Sequence, residues 1–164
     1  MTGIGPAGSL CTQQGSAPKR ARSPARVERM DASEIVRRYL LLLERRELDA
    51  LDEVLAEDLI VVAPDGSIVF SDRASWKQAQ DGDAFTDERI RVEQLVSDGS
   101  QVAVRYTLTA VHSREAFGVP PTGLPVVTSG TKIYSVRDGR IHQIAGHDDV
   151  LGLMRRLGAT PPAT

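Results

Sequence analysis

The sequence predicts an α+β fold: a cone-shaped, cystatin-like curved antiparallel sheet wrapped around N-terminal helices, with an internal pocket. Three observations predict it. Helical periodicity opens the chain and returns only at its end, while strand-like alternation fills the region between. Asp98-Gly99 and Asp138-Gly139 are hairpin turns between strands. The alternation slips at Glu93 and Gln94, which marks a bulge, and bulges bend sheets. A chain of 164 residues, 41% apolar and 26% charged, suits one domain that can enclose a cavity.

Order begins at Asp31. Asp31-Ala-Ser-Glu34 matches a capping box, followed at helical spacing by Ile35, Val36, Tyr39, Leu40, Leu42 and Leu43. Leu48, Leu51, Val54 and Leu55 predict a second helix over 48–56. A strand over 59–63, a turn at Pro64–Ser67 and a short strand over 68–70 follow. Residues 72–80 read as a helix carrying Trp76, and 90–96 as the bulged strand. Residues 101–112 alternate strictly, with Val102, Val104, Tyr106 and Leu108 on one face and Ala103, Arg105, Thr107 and Thr109 on the other. Phe117-Gly-Val-Pro-Pro-Thr-Gly123 is a proline-stiffened turn. Strands over 126–136 and 141–147 precede a terminal helix over 149–157, stopped by Gly158.

Composition narrows the function. A net charge of −2 argues against bulk binding of polyanions, so nucleic acid is not expected as a partner. The longest apolar run, Leu59–Pro64, is far too short to span a bilayer, so no membrane partner is expected. The single cysteine, Cys11, permits no internal disulfide and no Cys-based zinc site, and points to a reducing, cytoplasmic setting. Residues 1–29 differ from the rest: rich in Gly, Ala, Ser and Pro, they carry five basic residues against Glu28 alone. They read as a disordered basic arm. It is a flexible tail, an over-long gene start before Met30, or an arm that touches nucleic acid or another partner. The folded domain is 30–160.

Four stretches carry a family resemblance: VAVRYTLT from Val102, FGVPPTG from Phe117, the Asp138-Gly-Arg-Ile141 turn, and DVLGLMRRLG from Asp149. Together they resemble the SnoaL-type polyketide cyclases of the nuclear-transport-factor-2-like superfamily, over roughly 30–159. The resemblance implies a cone with a deep, largely apolar pocket and aldol ring closure on a polyketide ester. It implies no metal and no organic cofactor, a small apolar polyketide-like substrate, and a homodimer. It also implies that an aspartate just before the Leu-Gly-Leu of the terminal helix, here Asp149, is the general acid/base. This chain has Asp148 where relatives carry an aromatic residue before that aspartate, and Ala145 where many carry Trp. It also lacks the relatives' first-strand His near Val61 or Ala63. These departures imply a differently shaped pocket, and with it an alternative to the aldol route: a cyclisation driven by pocket shape, such as a cycloaddition.

Several side chains are candidates for the site. Asp149 would move protons between carbon and oxygen, or else cap the helix, with Asp148 the solvent-facing or capping residue of the pair. His147 lies two residues before it on the same face of a strand and would shuttle protons, or sit at the rim bonded to backbone. Arg105, Tyr39, Trp76 and His112 are candidates for substrate binding. Arg105 has a structural alternative in a bridge to Glu93, Tyr39 in core packing, Trp76 in covering the sheet, and His112 in anchoring the proline loop. Two rival functions stay open. One is a non-catalytic ligand-binding or dimerisation module, pairing through the Val102/Val104/Tyr106/Leu108 face. The other is an epoxide-opening hydrolase or cyclase, for which Arg105 fits the family arginine while Thr107 stands where an acid belongs.

Overall fold

The computed structural model describes residues 31–160; the basic arm expected over 1–29 lies outside them. Helix α1 (Ala32–Glu44) starts at the capping box: Glu34 N donates to Asp31 Oδ1 at 2.9 Å, and Asp31 N donates to Glu34 Oε2 at 3.0 Å. It buries Ile35, Val36, Tyr39, Leu40 and Leu42 against the sheet. The helix expected over 48–56 is corrected. It shrinks to a 3-10 turn, Asp49–Glu53, and strand β1 (Leu55–Val62) takes over. The apolar spacing fits either structure, and sheet pairing wins: Leu55 pairs Ile141, whose N–H bonds Val54 O at 2.8 Å.

The remaining elements are β2 (Ile68–Phe70), α2 (Arg73–Asp81), β3 (Phe85–Ser97), β4 (Gln101–His112), β5 (Pro125–Arg137), β6 (Arg140–Asp148) and α3 (Val150–Leu157). Asp72 caps α2 by accepting from Ser75 N at 2.7 Å. Asp149 caps α3, which ends at left-handed Gly158. The sheet runs β2-β1-β6-β5-β4-β3. It is mixed rather than wholly antiparallel, because β6 returns beside β1 in the same direction.

Two irregularities matter for the site. The predicted bulge lies in β3 between Val92 and Gln94. A second lies in β6, where Ile141 pairs Val136 but Gln143 pairs Ser135, so His142 is an extra residue. An extra residue reverses the face of every side chain that follows. The sheet curls around α1, whose apolar stripe meets Val102, Val104 and Tyr106. The β4 face expected to pair with a second copy is therefore the core, and that expectation is corrected.

Candidate active site

Between α1, α2 and the inner face of the sheet lies a pocket of about 290 Å³. All three tyrosines of the chain line it, as does its single tryptophan. Leu40, Leu43, Phe85, Ile90, Leu108 and Ile144 supply apolar walls. The lining suits a small, largely apolar guest with a few polar atoms.

The polar centre of the pocket crosses three strands. Tyr106 on β4 and Asp148 on β6 both pair with Gly130 on β5. Over that glycine the Tyr106 hydroxyl donates to Asp148 Oδ1. A Cβ at 130 would strike both the Asp148 carboxylate and the Tyr106 hydroxyl. The other carboxylate oxygen, Oδ2, accepts from Lys132 Nζ at 2.7 Å. Two strand residues earlier, Gly146 adopts φ 148°, and a Cβ there would strike the Thr131 carbonyl. Burial raises the hydroxyl pKa of Tyr39, Tyr106 and Tyr134, and the Asp148 charge adds to each shift. All three stay neutral donors throughout the physiological range.

Farther along the pocket wall sit Glu88 and Asp83. Burial, reinforced by the charge of Asp83 and opposed by Arg46, pushes Glu88 up to about 7. Asp83 is also raised, chiefly by burial.

The residues expected from sequence divide between the two sides of the sheet. Tyr39 and Trp76 line the pocket. Arg105, His147 and Asp149 come together, but on the outer face, in an open groove of about 420 Å³ with Glu93 and Thr107. Asp149 does not open into the pocket, which corrects the expectation that it does. Its side chain is 45% exposed, accepts from Gly152 N at 2.8 Å and faces Arg156 at 3.7 Å. Asp148, expected to be the capping or solvent-facing partner, is the carboxylate that reaches the pocket, with its side chain 36% exposed and also bordering the outer groove. The cause is the extra residue at His142. Counting inward positions from buried Ile141 leads to His147 and Asp149, whereas counting from buried Ile144 leads to Asp148.

Arg105 makes no ion pair among the described residues. Its proposed partner Glu93 instead accepts from Thr107 Oγ1 at 2.7 Å and pairs with Arg91 at 2.7 Å. The arginine required by the epoxide-opening alternative thus points away from the pocket. His112 is 0% exposed, outside the pocket lining, with Nδ1 3.1 Å from Thr122 Oγ1 and its ring against Phe85. It anchors the proline-stiffened loop, the structural alternative offered for it, with its Nε2 buried and unpartnered among the described residues. Among the described residues no three His, Cys, Asp or Glu side chains gather as a metal site requires. Sequence reasoning missed Lys132, Glu88, Tyr134 and the inward turn of Asp148. Lys132 and Tyr134 had a usable signal, since they continue the alternation of buried Val126 and Thr128.

Comparison with known proteins agrees with this architecture. A family model described as SnoaL-like polyketide cyclase matches residues 33–157. Among solved structures, IdmH of Streptomyces antibioticus, a candidate polyketide cyclase, is 28% identical with a TM-score of 0.67, covering 77% of this chain and 98% of its own. AclR of Streptomyces galilaeus, a candidate hydroxylase, has a TM-score of 0.70 at 24% identity, covering 80% of this chain and 83% of its own. An LEH-like epoxide hydrolase of M. tuberculosis shares the fold at 18% identity and a TM-score of 0.60, covering 75% of this chain and 86% of its own. No curated protein matches the sequence.

Proposed function

The chain belongs to the SnoaL-like polyketide cyclase family, and from that premise we propose that it is a cytoplasmic, cofactor-independent cyclase closing a carbon ring in a polyketide-derived substrate, with Asp148 as its acid/base. One observation carries this reading: a carboxylate held between a tyrosine hydroxyl and an ammonium group, facing an aromatic-walled pocket. Asp148 removes a proton from a carbon next to a carbonyl. The negative charge moves onto the carbonyl oxygen, where Tyr106 and Lys132 can donate to it. The resulting enolate carbon attacks a second carbonyl of the same molecule, forming the new C–C bond, and the alkoxide takes back the proton from Asp148. Only protons and one bond move, so the step needs no oxidant or reductant. The pocket walls hold the two reacting carbons close, and positioning of this kind lowers the barrier further. In this reading two copies pair through the outer face, where Val127 and Ile133 are exposed. A sedimentation experiment showing only monomer at micromolar concentration would remove that part.

The chemistry is tested with 2-tetralone, a flat ketone with acidic hydrogens beside its carbonyl. The protein should speed their exchange with deuterated water, read by NMR, and Asp148→Asn should abolish the acceleration. Equal rates for Asp148→Asn and the unchanged protein, or no acceleration by either, count against the reading.

A further inference from the structure

The pocket wall holds further polar groups that the proton transfer above does not use. Two groups that line the pocket have polar atoms sealed from solvent and short of a well-formed hydrogen bond: the Trp76 indole N–H, which lies near the Tyr39 hydroxyl, and Glu88 Oε1. The nearest cation to Glu88 Oε1 is the Arg46 guanidinium at 3.7 Å, beyond hydrogen-bond reach. Glu88 is only 12% exposed. Burial without a well-formed hydrogen bond is costly for both groups, and a ligand atom would relieve it. A carboxylate alone would call for a donor or a cation. The indole N–H beside the same cavity calls for an acceptor.

We propose that this part of the pocket grips a second oxygen of the substrate, a carbonyl oxygen that accepts hydrogen bonds from the Trp76 indole and from the Glu88 carboxyl. This inference rests on the pocket reading above and deepens it. The substrates are small, largely apolar molecules with two oxygen functions, one for Asp148 and one for Trp76 and Glu88. Glu88 donates only while protonated, and its value of about 7 keeps it so in mildly acidic solution. The charged groups around it act in opposite senses. Asp83 favours its neutral form and Arg46 opposes it. Arg114 faces Asp83, and Glu44 on α1 is engaged with Arg89 and the Ile90 N–H.

The test compares 2-acetylnaphthalene with 2,6-diacetylnaphthalene in calorimetric titrations. At pH 6 the diacetyl compound should bind about five- to tenfold more tightly, the worth of one or two buried hydrogen bonds. The advantage should shrink at pH 8 and disappear in Glu88→Leu. It should persist at both pH values in Glu88→Gln, whose amide still donates, and fall in Trp76→Phe. Equal binding of the two compounds at pH 6, or an advantage that survives in Glu88→Leu, overturns the second-oxygen site while leaving the pocket intact. Failure of both compounds to bind overturns the pocket reading, and this inference with it.

Discussion

The two faces of the sheet formed by β4, β5 and β6 carry nearly the same kinds of side chain under opposite conditions. Outside, Arg105, His147 and Asp149 border an open groove, and the aspartate is occupied with capping a helix. Inside, Tyr106 and Asp148 stand one residue along from Arg105 and His147 on β4 and β6, with Lys132 of β5 between them, facing aromatic rings. Water screens charges in the groove, while the pocket makes each charge and dipole count for more. On the proposed reading, then, the side of the pleat rather than the residue type singles out Asp148 over Asp149.

The sharpest way to break that contrast is to remove each carboxylate in turn. Asp148→Asn should slow 2-tetralone exchange by about 10²–10⁴-fold, the usual worth of a general base. Asp149→Asn should leave the rate unchanged, since Asn caps helices as well as Asp. The reverse result would move the chemistry to the outer groove. Gly130→Ala probes the contact between the two inner groups. Its added methyl lies where the Asp148 carboxylate and the Tyr106 hydroxyl meet. Overpacking of this kind should cost about 1–3 kcal/mol in urea denaturation, along with most of the exchange activity.

Titration separates the faces next. Glu88 ionises at about 7 in the folded protein against an ordinary value of 4.5. Its folded value is the higher, so its stabilising effect is complete below pH 4.5 and is lost as pH rises through about 7. Relative to Glu88→Gln, the unchanged protein should lose about 1–2 kcal/mol over that window, the full linkage being trimmed by Arg46 and solvent. Thermal melts at a series of pH values would read it, and parallel curves for the two proteins would contradict it. The smallest effects belong outside. Asp149→Ala should cost about 1 kcal/mol of stability through the lost cap. Arg105→Ala and His147→Ala should each change stability by less than about 0.5 kcal/mol and leave exchange intact.

Much of the fold was legible from sequence because each signal had a local cause. The capping box at Asp31, the two Asp-Gly turns, the slip at Glu93 and the alternation from Val102 to Leu108 all lie where they were read. The site was less legible because it depends on parity over a distance. His147 and Asp149 were correctly paired on one face, but the extra residue at His142 turned that face outward. The one hint within β6 is that its buried isoleucines, Ile141 and Ile144, stand three apart rather than two; the pairing with β5 then places the extra residue between them. Leu48 to Leu55 failed for a related reason: the partner that makes Leu55 a strand residue, Ile141, lies far along the chain.

The parallel seam between β1 and β6 has a consequence for assembly. The first strand to leave the ribosome has only the short β2 beside it until the last strand, β6, arrives on its other edge. The hairpins joining β3 to β4 and β5 to β6 can form early, whereas closing the seam ties together distant parts of the chain and is slow. Until then one edge of β1 stays open, able to adhere to another nascent chain. A copy truncated before β6 should accumulate as aggregate rather than as a smaller soluble cone, a point to remember when choosing where to cut this protein for expression.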